Sequence, residues 1–296
     1  MTTSAVVSYP KTRRINFDFD QAGAVSKHYV KDDIVMSHAL AFLSAVFPPG
    51  EDIFVRSVRR YREELTDPEL KKRVAGFIGQ EVTHGNHHRE LNERLADMGY
   101  PVAYWDYILE STHRTEDLFD KLYPNPNRLR FFRHLLLSFT AAAEHFTAVL
   151  GEHVLTRPAI QDLVYDDEIR NLLNWHAFEE LEHKSVAFDV YRTIGGSERM
   201  RINMMRLLST IVMPALIAVS WLSIATTDPV GRRQPLRILR ETISMVRGPA
   251  FKGFYKEMAP YKKHGFHPDQ IDTTSVLTEW QERLFGNRGE LSDHLR

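Results

Sequence analysis

NWHAFEELEHKSVAFD, residues Asn174 to Asp189, decides how the rest of the chain reads. Wound as a helix, His176, Glu180 and His183 fall at i, i+4 and i+7 and point the same way. Leu173 precedes them on that stripe, and Ala187, Val190 and Ile194 continue it. Two imidazoles and a carboxylate thus interrupt an apolar face. A core-facing helix rarely buries such groups unless they are paired or hold a metal. The stretch is expected to form one wall of a metal site, with the other walls elsewhere in the chain.

Three more helical seams carry the same interruption. Thr66-Asp67-Pro68-Glu69 is a helix start signal, with an N-cap candidate followed by proline and an acid. The helix it opens is expected to run to about Met98, before Gly99. Its apolar stripe encloses Glu81, His84 and His88 at intervals of three and four. From Arg128 to Leu155 the seam reads Leu137, Ala141, Glu144, Ala148, Gly151, Leu155, and its small residues would let a neighbouring helix come close. An earlier helix, starting near Asp33, meets Pro48-Pro49-Gly50, where proline chemistry predicts a kink or a restart. Its continuation aligns Phe47, Glu51, Phe54 and Val58.

The inward polar residues therefore run Glu51, Glu81-x-x-His84, Glu144, His176-x-x-x-Glu180-x-x-His183. One Glu-x-x-His alone is a weak signal. Four helices each giving an inward acid, two of them with a Glu-x-x-His pair, match the ligand plan of dimetal carboxylate bundles. About four carboxylates balance the charge of two close divalent ions, and neutral imidazoles complete the coordination. The competing reading is a buried salt-bridge network, weakened because these seams carry no basic residue to pair the acids. His88, one turn past His84, is a candidate support for a ligand or a substrate contact. Glu179 lies near the face without a histidine three residues on; it and His88 are the candidates for supporting the ligands or moving a proton. His87, His145 and His153 point off the seams and are expected at the surface or an interface.

At these residues the chain resembles a known family. The Arg13-Arg14-x-x-Phe17-Asp18-Phe19 start, the Pro48-Pro49-Gly50-Glu51 turn and the EVTHGNHH and WHAFEELEH helices are similar to those of bacterial proteins labelled predicted metal-dependent hydrolases. The likeness covers nearly the whole chain. The label implies a hydrolase, whereas the ligand arrangement is similar to ferritin-like diiron proteins. In particular, His-x3-Glu-x2-His resembles the non-haem diiron N-oxygenases that act on arylamines. Carried over, that resemblance implies seven metal ligands: Glu51, Glu81, His84, Glu144, His176, Glu180 and His183. The Pro-Pro-Gly beside Glu51 and a long C-terminal extension depart from a minimal N-oxygenase pattern and leave the substrate open.

Composition sets the outer bounds. The 296 residues are 43% hydrophobic and 26% charged, ordinary for a globular core. A net charge of -1 gives no broad electrostatic case for nucleic acid. The absence of cysteine excludes disulfides, thiolate metal sites and cysteine nucleophiles. Any metal must be held by His, Asp and Glu, which suits iron, manganese or zinc. The N-terminus lacks the apolar core of a secretory signal, so a cytoplasmic location is expected. Leu207–Ala225, LLSTIVMPALIAVSWLSIA, complicates this, being about long enough to span a bilayer. It reads as a membrane span, an interfacial helix or a buried helix lining an apolar pocket. The tail beyond it looks too small and too amphipathic to stand alone on the far side of a membrane, which favours the buried or surface readings.

The expected fold is all-α: an arm over residues 1–31, a ferritin-like four-helix bundle over 32–196, and a helical extension over 197–296 packed on it. Further helices are expected over about 102–123, closed by Tyr123-Pro124-Asn125-Pro126-Asn127, over about Leu236–Met258, and up to Phe285. The expected function is oxygen activation by two metal ions, iron first and manganese or zinc as alternatives. Its partners would be a hydrophobic or aromatic small molecule, dioxygen and an electron donor. Hydrolysis by a metal-bridging hydroxide and a non-catalytic metal-binding bundle are the alternatives. Membrane-surface association and a homodimer are both compatible with the sequence.

Overall fold

Capping side chains set where four of the long helices begin. The computed structural model describes residues 10–19, 26–123 and 128–296, apart from the side chains of 109–113, 116, 117 and 120. All of the expected break at Tyr123–Asn127 but Tyr123, and parts of the N-terminal arm (1–9 and 20–25), fall outside the described residues. Asp33 accepts from the Met36 amide to open α1 (Ile34–Arg59), and Asp67 accepts from Glu69 to open α2 (Pro68–Asp97). α3 (Val102–Leu122), α4 (Arg130–Thr156) and the single turn α5 (Pro158–Gln161) follow. Asp166 caps α6 (Asp167–His183), and α7 (Val186–Thr193) comes almost directly after it. Ser197 caps the 30-residue α8 (Glu198–Thr227). The chain ends through α9 (Pro229–Arg232), α10 (Pro235–Arg247), α11 (Phe254–Glu257) and α12 (Thr274–Phe285). Each capping oxygen satisfies an amide that the first turn leaves orphaned.

The fold is all-α. Among the described residues, β pairing is confined to the isolated bridges Ile15–Leu295 and Val30–Val164. The four helices that carry the candidate ligands pack in a closed ring, α1 on α2, α2 on α6, α6 on α4 and α4 on α1. Two apolar clusters flank that ring. One joins Ile34, Val58, Phe77 and Leu137 to Met205 of α8. The other joins Leu91, Leu155, Trp175 and Leu181 to Phe17 and Trp280 from the two ends of the chain.

Several expectations need correction. α1 does not restart at the proline pair but runs through Pro48 and Pro49 as one helix. Pro48 has no amide to bond the Ser44 carbonyl, and Asn92 Nδ2 on α2 donates to that carbonyl instead, at 3.1 Å. The helix that opened the sequence reading stops at His183, and Ala187, Val190 and Ile194 belong to or follow α7, all still buried. Distant segments hold that junction: Lys184 Nζ donates to Thr273 Oγ1 at 2.9 Å and Arg73 Nη2 to Ser185 Oγ at 2.7 Å. The helix expected over 236–258 breaks after Arg247, where Gly248 turns extended and Pro249 cannot donate.

His87, His145 and His153 are buried rather than at the surface. Segments remote in sequence cover them. Phe17 meets His87 edge-on at 5.1 Å, Tyr261 stacks on His145 at 4.9 Å, and His153 Nδ1 donates to the Ala250 carbonyl at 2.8 Å.

α8 is long and apolar enough to cross a membrane by length and composition, with a mean hydropathy of 2.1 over its most apolar window. Met205, Leu208, Leu216 and Ile224 bury one of its sides, and the helix packs on α1 and α4.

Candidate metal centre

The ring of four helices brings all seven candidate ligands into its interior. They form three overlapping clusters: Glu51 with His84 and His176, Glu81 with His84 and Glu180, and Glu81 with Glu144 and His183. Within each cluster one donor atom per residue lies within 4.8 Å of the others. The overlaps run through His84 and Glu81, each shared by two clusters. Glu180 Oε1 is 2.9 Å from His176 Nε2, 3.6 Å from His183 Nε2 and 3.9 Å from His84 Nδ1. Glu81 Oε1 is 3.1 Å from His183 Nε2, with Glu144 Oε2 3.3 Å from the same nitrogen. Every one of these side chains is buried.

Local sequence explains this placement. On α6 the i, i+4, i+7 spacing keeps His176, Glu180 and His183 on one face. On α1, Glu51 can reach the centre because α2 approaches closely at Gly85, where a Cβ would sit 3.1 Å from Glu51 Oε2. On α4, Gly151 lets α6 approach in the same way, since a Cβ there would lie 3.0 Å from the Ala177 carbonyl.

Hydrogen bonds outside the cluster fix which nitrogen of each imidazole faces inward. His183 Nδ1 donates to Gln80 Oε1 at 3.0 Å, and Gln80 Nε2 is itself turned to Glu182 at 2.7 Å. His84 Nε2 donates to Glu179 Oε2 at 3.0 Å. The third chain starts at Asn92, whose Nδ2 is committed to the Ser44 carbonyl, so that its Oδ1 accepts from Ser44 Oγ at 2.8 Å. Ser44 Oγ then accepts from His88 Nδ1 at 3.0 Å, and His88 Nε2 accepts from His176 Nδ1 at 2.8 Å. His84 Nδ1, His176 Nε2 and His183 Nε2 are left as lone pairs aimed at carboxylates.

Without a cation that arrangement is repulsive. Both oxygens of Glu51, Glu81 and Glu144, together with His84 Nδ1 and His183 Nε2, are buried with no hydrogen-bond partner. Such orphans are costly and rare in folded proteins. Burial, reinforced by the neighbouring carboxylates, pushes Glu51, Glu81 and Glu144 well above the usual carboxylate range. Burial keeps His84 and His88 well below the ordinary imidazole value, hence neutral, the form that ligates metals. Four carboxylates and three inward lone pairs fit divalent metal ions, which would satisfy every orphan at once.

Glu179 does not join the cluster. Its two oxygens accept from His84, from Trp175 Nε1 at 2.9 Å and from Arg13 Nη1 at 2.7 Å, so it orients His84. Arg13 also pairs with Glu182. Burial opposes its charge, but Glu182 and Glu179 more than offset this and raise its pKa. The sequence reading missed Arg13, Gln80, Ser44 and Asn92 as supports of the centre. Only their neighbours hinted at them: Gln80 precedes Glu81, and Arg13-Arg14 opens the arm.

A cavity of about 130 Å³ reaches the centre. His88, Thr147, His176 and Glu180 are among its lining residues, and the rest of the wall is overwhelmingly apolar, including Leu43, Phe47, Leu150 and Leu173. Leu216 of α8 and Phe251 complete it from the C-terminal part of the chain. Thr147 donates to Glu180 Oε2 at the meeting of cavity and cluster.

No curated protein and no solved structure matches the sequence. A family model described as predicted metal-dependent hydrolase matches residues 11–272, a span that holds all seven clustered side chains as well as Arg13 and Glu179. By that match the chain belongs to the family of predicted metal-dependent hydrolases.

Proposed function

We propose that the chain is a dimetal-carboxylate enzyme of ferritin-like design that activates dioxygen to oxidise an apolar small molecule, with two irons as its cofactor. The observation that carries this reading is the convergence of three imidazole lone pairs and four carboxylates beside an apolar cavity. Irons held there would supply redox chemistry toward dioxygen. The chain's own residues do the rest. Glu51, Glu81, Glu144 and Glu180 balance the charge of two divalent ions. Glu179, Gln80 and His88 fix the tautomers of His84, His183 and His176. Phe47, Leu43 and Leu173 are among the residues that keep water from the reacting centre and offer an apolar substrate favourable contacts.

The family description favours a second reading, hydrolysis of an ester or phosphoester by metal-activated water. His88 on the cavity wall would then move the proton. The apolar wall supports it less, because a hydrolytic transition state asks for polar donors around a developing oxyanion.

The test is to load the protein with Fe(II) anaerobically and then admit oxygen. Stoichiometric oxygen uptake with a new visible absorption band is expected. Zinc-loaded protein that hydrolyses model esters, together with an iron form inert to oxygen, would overturn the proposal in favour of hydrolysis.

A further inference from the structure

α8 and α10 each present an apolar face that the fold does not cover. Only 33% of the most apolar window of α8 is buried. Leu207, Ile211, Trp221 and Leu222 are exposed along it, and no charged residue occurs from Leu207 to Thr227. α10 is built the same way. Ile238, Thr242 and Met245 face inward, while Leu236 (82% exposed), Leu239, Ile243 and Val246 recur at i, i+3, i+7 and i+10 on the solvent side. The two helices are tied together by Trp221 Nε1 donating to Thr242 Oγ1 at 2.9 Å.

Charge identifies the occupant. Residues 198–247 hold eight arginines and three acids in a chain whose net charge is -1. The three acids are already engaged: Glu198 with Arg192 and Arg201, Asp228 with His28 and His38, Glu241 with Arg237. Arg206, Arg232, Arg233, Arg240 and Arg247 are exposed. On α10, Arg240 and Arg247 fall just beside the apolar stripe, where their heads can reach past buried stems. Exposed leucines and isoleucines flanked by arginine fit the boundary between acyl chains and anionic headgroups.

From this geometry we infer that the α8–α10 face docks in the plane of an anionic lipid bilayer. α8 does not cross the membrane, because Met205, Leu208, Leu216 and Ile224 hold it against α1 and α4. The inference is independent of the chemistry at the metal centre. It nonetheless has a consequence for access. Leu216, on the inner side of α8, lines the cavity that reaches His176 and Glu180, so the docked helix lies between lipid and site.

The test is sedimentation of the full chain with phosphatidylcholine vesicles, with and without phosphatidylglycerol. Binding to the phosphatidylglycerol vesicles that weakens with salt is expected. Leu236→Glu with Ile243→Glu should lower binding at least tenfold. Arg232→Glu with Arg233→Glu should remove the preference for anionic lipid, by about fivefold per arginine. All four positions are exposed, so an unchanged melting temperature confirms that these variants fold. Wild-type protein that stays unbound, or apolar-face variants that bind as well as wild type, would overturn the inference. A dimer broken by Leu236→Glu in a protein that ignores both vesicles would assign the face to a second copy instead.

Discussion

Single side chains explain why the centre suits a cation and how its imidazoles are oriented. Each inward imidazole is held by a partner that can only accept, or by a chain of donors that begins at a committed amide, so none can turn its proton toward the carboxylates. Arg13 is the outermost member of this frame, pairing with both Glu179 and Glu182. Arg13→Ala would leave two buried carboxylates without their cationic partner, at a cost of about 3 kcal/mol, and lower metal affinity by roughly 10–100-fold. Denaturant unfolding and metal titration check both; a variant as stable and as metal-avid as wild type would contradict the role. His38 gives a pH test away from the metal ligands. Burial, only partly offset by Asp228, lowers its pKa to about 4, against about 6.5 when unfolded. The folded state thus prefers neutral His38, and that preference is fully present above about pH 6.5 and lost as pH falls toward 4. The loss is on the order of 3 kcal/mol. His38→Gln should flatten the acid limb of the stability curve in that window, and an unchanged limb would contradict it.

At the scale of elements, the four seams were legible because helical spacing turns a string of residues into a face. Glu51, Glu81, Glu144 and the α6 triad needed no distant information to be aligned. What stayed hidden depends on contacts between elements. α1 crosses its proline pair with help from Asn92, 44 residues past Pro48 in the sequence, which replaces the donor that Pro48 lacks. The end of α6 at His183 has no glycine or proline to announce it; Lys184 is drawn to Thr273 and Ser185 to Arg73. The small-residue seam of α4 was readable, and its purpose is the approach of α6 at Gly151. Gly151→Val would press on Ala177 and should destabilise the fold by about 1–3 kcal/mol. An effect below about 0.5 kcal/mol in denaturant unfolding would mean that the two helices have room to spare.

Over the whole molecule, the described part of the N-terminal arm pairs with the C-terminal residues over the bundle. The Arg296 amide donates to the Arg14 carbonyl at 2.9 Å, and the Asn16 amide to that of His294 at 3.0 Å. This pairing carries Arg13 to the back of the centre and explains why His87, which looks peripheral in sequence, is buried beneath Phe17. It was not legible beforehand because nothing local marks which segments will cover which. The all-α class and the positions of the clustered side chains were legible. The supporting frame, and α8 with one face on the bundle and the other exposed, emerged only from packing. The central claim is that seven side chains from four helices hold two metal ions. The most direct measurement is the metal content per chain of protein purified without chelator, in wild type and in Glu144→Ala and His183→Ala. The account predicts two ions in the wild type and a lower count in each variant. A folded wild-type protein that takes up no metal, or an unchanged count in both variants, would contradict it.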